Sequence, residues 1–588
     1  MAAIETTSDS LLALDIGAIT TRALFFDVVD GQYHFIAAGS APTTASAPFH
    51  NVMEGVHMAL DELRAITGRP LLGHDQNLII PSTPAGEGVD ALSVVLSAGA
   101  PIRTIIMGLL DDVSIASARH LLQSSYVQVV ETFTLSDRRK LEDRLDAILR
   151  LRPDLIVIVG GTEKGASLSV RRMLDPLRLA LPLIPEMQRP HLLYAGNSAL
   201  QEEIQTIFKD VAPVHVAPNV RPSLSTEDLE GAQIVLSNAV THLRIQRMGG
   251  VETLHTWAGG GVFPAASAYG RMIRFLSQED TTKGVLGVDV GVSATTVSAA
   301  FQGHLYAGVY PALGLGPQLA GLLSQDPYEK LAPWLSANLT PEYVRAYAFN
   351  KSLYPGIVPI TEEDAAIEQA IATYALRQAA ILSAQNIASR QKMNTGQTSG
   401  GALLPQVEPI IATGGPFTHT NNPGRVLLTL LDGIQPLGIT TILLDRYNLT
   451  TLLGAAASTN PVLAIQAMTS NIFTRLALVV SPVSNARLNT PILRVHLRDN
   501  ESGEESHLDV KSGNLVVLPL SPGRRAALRL QPLYRADIGL GPGRKAAYEV
   551  AGSLLGIVID ARGRPYRPHK DPARRDEIYK KWLWNLGH

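Results

Sequence analysis

The sequence predicts an α/β protein with a duplicated, two-lobed core and a smaller β-rich segment after it. Three observations carry this reading. Short apolar runs repeatedly end in glycine turns, helical periodicities lie between them, and one strand–turn–strand pattern occurs twice, about half the chain apart. Strands alternating with helices favour parallel or mixed sheets, and a pattern used twice points to internal duplication.

The runs are Leu11-Leu-Ala-Leu-Asp-Ile-Gly17, Leu155-Ile-Val-Ile-Val-Gly-Gly-Thr162, Gly284-Val-Leu-Gly-Val-Asp-Val-Gly291 and Pro409-Ile-Ile-Ala-Thr-Gly-Gly415. Each reads as a buried strand that stops where a residue without Cβ lets the backbone turn sharply or approach a ligand. Between them, Ser136–Leu151 spaces Leu141, Leu145, Ile148 and Leu149 as one helical face, and Glu362–Ile387 continues such a face from Thr361 as its cap. Asp15-Ile-Gly17 leads through Thr20-Thr21 into the strand Ala23–Asp27; Asp289-Val-Gly291 leads through Ser293, Thr295 and Thr296 into Val297–Phe301. A polar, Gly-rich loop is read at Asn394–Gly401. From roughly 474 to 560 the runs become short and alternating, the pattern of a small β-domain. The expected divisions are a first lobe with insertions at 1–282, a second lobe at 283–470, a β-rich domain at 471–561 and a basic tail helix at 562–588.

Composition narrows the chemistry. With 46% apolar and 18% charged residues, the 588-residue chain can bury large cores. Its net charge of −3 provides no general field for nucleic acid. It has no cysteine, which excludes thiol nucleophiles, disulfides, thiolate zinc sites and cysteine-held iron–sulfur clusters. Glu5 and Asp9 precede the first apolar run without Lys or Arg, unlike a secretory signal, and no run reaches membrane-spanning length. A cytoplasmic address without a transmembrane segment is expected.

Binding a phosphate chain takes bare backbone N–H groups, hydroxyls that extend the cradle and a carboxylate that holds Mg²⁺ through water. Gly17 and Gly291 open the backbone, Thr20, Thr21, Ser293 and Thr295 offer hydroxyls, and Asp15 and Asp289 are the carboxylates. Thr413-Gly414-Gly415 would leave a flat surface for an adenosine. The plainer alternative is a set of ordinary tight turns. No Gly-x-x-x-x-Gly-Lys-Ser/Thr loop is present, and Leu313-Gly-Leu-Gly-Pro317 lacks the strand and carries a proline where a dinucleotide fingerprint would not.

D-x-G-x-x-T-T, D-x-G-x-S-x-T and the later T-G-G strand resemble the two phosphate motifs and the adenosine motif of the actin, sugar-kinase and Hsp70 ATPase superfamily. Within it, the chain is similar to the MutL family of glutamate mutase accessory proteins, distinct from the mismatch-repair protein of that name. The matching pieces, in order, are Leu14–Arg22, Val95-Leu-Ser-Ala-Gly99, Met107-Gly-Leu-Leu-Asp-Asp112, Ile158-Val-Gly-Gly-Thr-Glu163, Tyr194-Ala-Gly-Asn197, Val216-Ala-Pro-Asn219, Gly287–Gly291 and Ile411–Pro416. The resemblance implies an actin-like (ribonuclease H-like) fold, ATP and Mg²⁺ as cofactors, and an accessory or reactivating role toward an adenosylcobalamin-dependent carbon-skeleton mutase. It places Arg22 on phosphate, where relatives often carry Lys. Ala294 and Thr296 replace a usual Thr and Asp, so weak ATP hydrolysis is expected. The chain lacks the Asp-x-His-x-x-Gly sequence of cobalamin-binding mutases, so it is not read as the mutase itself.

Two other readings share the fold. A small-molecule kinase would need a base, for which Asp111, Asp112 and Glu163 are the candidates. An actin-like scaffold or polymer subunit would use the β-rich segment for contacts, and a homo-oligomer is compatible with either. In the tail, Arg562, Arg564, Arg567, Lys570, Arg574, Arg575, Lys580 and Lys581 surround Trp582 and Trp584. That pattern fits a site for an acidic partner or membrane surface, or a helix packing its tryptophans on the β-domain.

Overall fold

The computed structural model describes residues 10–163, 165–279, 282–323, 327–391, 404–469 and 472–587, and the polar loop read at 394–401 lies outside them. The chain divides into two units, Met1–Ala268 with Ala455–Leu463, and Tyr269–Gly454 with Ala464–His588.

Unit one opens with strands β1 (Ser10–Ile16), β2 (Thr20–Val29), β3 (Gln32–Pro42) and β4 (Ala91–Leu96). It continues with β5 (Ile102–Met107), β6 (Val127–Phe133), β7 (Leu155–Ile158), β8 (His191–Tyr194), β9 (Val214–Val216) and β10 (Val262–Pro264). One sheet has the order β10-β4-β1-β2-β3. The β1–β2 and β2–β3 pairs are antiparallel, and β1–β4 and β4–β10 are parallel. Every residue of β1 is buried, as a central strand covered on both faces requires. On one face the helix Met53–Thr67 packs Val56, Leu60 and Leu63 against Leu12, Leu14 and Phe25.

The second sheet of unit one is wholly parallel, with the order β6-β5-β7-β8-β9. Period-two alternation sends Ile105, Ile156 and Leu192 into one core and Ile106, Val157 and Leu193 into another, so both faces are covered. The chain winds outward in both directions from β5 and β7, which makes their junction a topological switch point. The helix expected from Ser136 begins at Leu141, because Arg139 is tied to Asp137 and Glu131 in a turn before it.

Unit two opens with β11 (Gly284–Val290), β12 (Thr295–Phe301), β13 (His304–Tyr310), β14 (Val407–Thr413), β15 (Gly438–Leu444) and β16 (Thr474–Ser481). β17 (Pro491–Asp499), β18 (Glu505–Lys511), β19 (Leu515–Leu518), β20 (Arg525–Pro532), β21 (Ala546–Ala551) and β22 (Ile557–Asp560) complete it. Its large sheet has the order β13-β12-β11-β14-β15-β16-β22-β19. The first five strands repeat β3-β2-β1-β4-β10 with the same senses, two antiparallel pairs and then two parallel ones. The duplication is therefore one of topology as well as motif, and the fold is a duplicated α/β core of ribonuclease H-like, actin-like type. The helix Glu362–Gln391 and the helix Pro423–Ile434 bury Ile367, Ile371, Leu427 and Leu431 with Leu286 and Ile410 of this sheet. Thr361 Oγ1 accepts from Asp364 N–H at 3.1 Å, the cap expected from sequence.

Within 471–561, β16, β22 and β19 extend the large sheet, while β17, β18, β20 and β21 form a separate antiparallel sheet. Leu493, Val495, Leu528 and Leu530 from that sheet share a core with Val480 and Ile559 of the large one. The tail helix Pro572–Asn585 buries Tyr579, Trp582 and Leu583 in the core of the large sheet, and Trp584 is 77% exposed. Its apolar face thus lies in the large-sheet core, against β19 of the 471–561 segment as well as helices of the second lobe. Arg562 and Arg564 point inward, each 2.8 Å from Asp560, with Arg562 also 2.8 Å from Asp432. Arg575 is buried as well and donates to the carbonyls of Leu335 and His569. Three of the eight basic residues are thereby committed to the interior. Among the described residues, no helix is long and apolar enough to cross a membrane.

Candidate functional site

Asp15 and Asp289 occupy equivalent places, one residue before the end of β1 and of β11. Gly17 N–H donates to Thr20 O at 3.0 Å, and Gly291 N–H donates to Ala294 O at 2.9 Å, so both hairpins close through the same turn. A Cβ at Gly17 would lie 2.8 Å from Thr20 O, and one at Gly291 would lie 3.2 Å from Ala294 O. The tight turn is what requires glycine at the first position. Opposite Asp15 stands Arg22, whose Nη1 donates to Asp15 Oδ2 at 3.1 Å. Opposite Asp289 stands Thr296, with no charge.

The hydroxyls divide into two groups. Thr21 Oγ1 is buried 2.9 Å from Thr43 Oγ1, and Thr295 Oγ1 is buried and donates to Leu313 O at 2.7 Å. At matching positions, both tie the hairpin to the chain leaving its third strand. Thr413 Oγ1 likewise donates to Asp445 O at 2.9 Å. Thr20 and Ser293 are partly exposed and are the hydroxyls best placed to meet a ligand. Asp15, Gly17, Thr20, Thr21 and Arg22 come together within unit one; Asp289, Gly291, Ser293 and Thr295 come together with Thr413, Gly414 and Gly415 within unit two.

That second grouping depends on parallel pairing, with Asp289 in register with Thr413. Gly414 follows with φ +112°, and a Cβ there would lie 2.3 Å from Val290 O. Gly415 differs: a Cβ would meet nothing nearer than His419 Nδ1 at 3.6 Å, so its bareness is open to a ligand. A cavity of about 480 Å³ opens beside Gly415, lined among others by Glu362, Gln369, Pro416, His419 and Arg425. Its size suits a bound small molecule. Sequence reading missed it, because its walls come from stretches around Thr361, Asn421 and Leu586 that lie far apart in the chain. Nearby, buried Asp445 accepts from Leu449 N, Thr450 N and Thr450 Oγ1 at 2.7–2.8 Å, fixing the start of the helix Leu449–Ala456. Burial raises its pKa against those donors.

Four of the five remaining family-like motifs converge elsewhere in unit one, at the carboxyl edge of the parallel sheet after β5, β7, β8 and β9, while Val95–Gly99 leaves β4 beside β1. Glu163 accepts from Ser198 Oγ and from Asn219 Nδ2, the latter at 2.7 Å. Burial acts to raise its pKa, but the Ser198 and Asn219 donors outweigh it and hold the carboxyl below its ordinary range. Glu163 thus clasps the loops after β7, β8 and β9 together. Asp111 and Asp112 lie after β5, exposed, in a different sheet from Asp15.

Residues 11–472 match the model of the MutL protein family. Protein MutL from Clostridium tetanomorphum is 23% identical over 443 residues, covering 71% of this chain and 88% of that protein. Among solved structures, acetone carboxylase in its nucleotide-free form is similar over 86% of this chain and 81% of its own, at 13% identity and TM-score 0.30. Component A of (R)-2-hydroxyglutaryl-CoA dehydratase from Acidaminococcus fermentans is similar over 76% of this chain and 97% of its own, at 9% identity and TM-score 0.25.

Proposed function

The chain belongs to the MutL protein family, and from that premise we propose that it is an ATP-binding accessory protein that assists an adenosylcobalamin-dependent carbon-skeleton mutase, of the glutamate mutase type. The observation that carries this reading is the pair of Asp-x-Gly hairpins closed by the same turn hydrogen bond, set in two sheets that share one five-strand order.

In this reading the turn amides of residues 18–20 and 292–294 cradle phosphate oxygens, with Thr20 and Ser293 adding hydroxyl donors. Arg22 adds a charge-assisted contact. Asp15 and Asp289 offer only oxygen, the donor type that suits Mg²⁺ held through its waters, so the residues present fit that ion. Bound Mg²⁺ would neutralise phosphate charge. The adenosine lies along Gly415 and enters the cavity edged by Pro416 and His419. ATP then acts by population shift: the nucleotide-bound state engages the client, and loss of the γ-phosphate releases it. A kinase is the weaker reading, since Glu163 is already held by Ser198 and Asn219.

The test is reactivation. A purified, inactivated adenosylcobalamin-dependent mutase from the same organism, given fresh coenzyme, is mixed with the chain with and without Mg-ATP. Recovery of turnover only when both chain and ATP are present is expected; equal recovery without either would overturn the proposal.

A further inference from the structure

The four-stranded sheet β18-β17-β20-β21 carries a cluster that the nucleotide reading does not use. In β17, Leu493, Val495 and Leu497 are buried, so alternation turns Arg494, His496 and Arg498 to the outer face. In β18, Val510 is buried, and Glu505, His507 and Asp509 face outward. The register sets His496 directly opposite His507. Their rings stack with centroids 4.1 Å apart and planes 7° apart. Glu505 Oε2 lies 3.3 Å from His496 Nε2 and 3.6 Å from His507 Nε2. One ligand atom from each residue falls within 4.8 Å of the other two. His496 Nε2 is screened from solvent.

From this geometry we propose that His496, Glu505 and His507 form a three-ligand site for a zinc-class transition-metal ion, with the fourth position open to solvent. Two imidazole nitrogens and one carboxylate oxygen are a zinc donor set, whereas Ca²⁺ and Mg²⁺ require oxygen shells. Tetrahedral zinc with bonds near 2.0 Å sets its ligand atoms about 3.3 Å apart, close to the two Glu–His distances found. Binding requires the two imidazoles to rotate out of their parallel stack so that both ring nitrogens meet the ion, with Glu505 Oε2 already beside His496 Nε2. The side chains of Glu505 and His507 are 44% and 65% exposed, which leaves the ion a path in.

The surrounding charges shape the affinity. Arg498 Nε sits 3.8 Å from Glu505 Oε1, turning the other oxygen toward the histidines. Arg494 is paired with Asp509, and Glu549 accepts from Asn500. Arg529, opposite His496 on β20, is the neighbouring cation that opposes the ion.

The experiment is calorimetric titration of the chelator-treated full-length chain with Zn²⁺, supported by the visible spectrum of its Co²⁺ form. One saturable site per chain and a tetrahedral Co²⁺ spectrum are expected. Glu505→Gln and His507→Gln should each weaken Zn²⁺ at least about tenfold, a cost on the order of 1.4 kcal/mol. Arg529→Gln should tighten it. All three are exposed-face changes, and unaltered melting without metal confirms an intact fold. If the wild type takes up no Zn²⁺, or if the double variant His496→Gln/His507→Gln binds it with unchanged stoichiometry and affinity, the proposal is wrong. Mg-ATP binding measured on the same variants is expected to stay unchanged, which separates this site from the nucleotide reading.

Discussion

Arg22 stands directly across the first hairpin from Asp15 and donates to it at 3.1 Å, whereas the equivalent partner of Asp289 is the uncharged Thr296. The two hairpins are alike in backbone and unlike in charge. Arg22→Met should weaken ATP about tenfold whether or not Mg²⁺ is present, because in the proposed reading the guanidinium contacts phosphate directly. Asp15→Asn should weaken ATP only when Mg²⁺ is present, because in the proposed reading its contact runs through the ion. Calorimetric titrations with and without a chelator distinguish the two.

Gly414 and Gly415 are adjacent glycines in different steric surroundings. Gly414→Ala would press a Cβ into the Val290 carbonyl at a φ that side chains rarely adopt, destabilising unit two by about 1–3 kcal/mol. Gly415→Ala meets only ordinary contacts and should leave the melting temperature unchanged while weakening ATP. Thermal melting paired with ATP titration of both variants checks this contrast.

Asp560 anchors a buried cluster with Arg562, Arg564 and Asp432. Asp560→Asn leaves buried guanidiniums without their counter-ion and should cost about 3–5 kcal/mol in denaturant unfolding. Burial alone would raise the Asp560 pKa, but Arg562 and Arg564 overcome it and hold the carboxyl well below the usual range. A depressed carboxylate contributes stability above its unfolded pKa and loses it as pH falls through the folded value. The penalty of the variant should therefore persist from pH 7 down to about pH 4 and shrink only below that. Truncation after Ala561 should lower stability for the same reason, since it removes both arginines and the buried Trp582.

His191 and His215 are joined in unit one by a 3.0 Å Nδ1···Nε2 hydrogen bond, and His191 Nε2 meets Gln246 Oε1 at 3.1 Å. Burial, reinforced by the neighbouring histidines, pushes His215 down to about 4 and lowers His191. Below the ordinary histidine range the unfolded chain takes up protons that the native state refuses, so stability falls as pH drops from about 6.5 toward about 4 and is flat above that range. Urea unfolding at several pH values should show this slope, and His215→Gln should flatten it.

What the sequence made legible was local. The two Asp-x-Gly turns, the strands leading into them and the Thr361 cap depend on residues within a few positions of one another, and glycine marks the turns for steric reasons. The order β6-β5-β7-β8-β9 was not legible, because parallel pairing joins strands whose apolar runs look alike. The partition of 471–561 between two sheets was hidden because its short alternating runs look alike whichever sheet they join. At the candidate site, a threonine reads the same whether its hydroxyl faces a ligand or, as at Thr21, Thr295 and Thr413, closes an internal hydrogen bond. The inward turn of Arg562 was not legible because Asp432 lies 130 positions away, and only the folded chain brings the buried pair together.

The most direct test of the central claim is calorimetric titration of Mg-ATP into the wild-type chain, Asp15→Ala and Asp289→Ala. One binding site in the wild type, weakened at least about tenfold in each variant, is the predicted result. No binding to the wild type, or the same affinity in all three proteins, would contradict it.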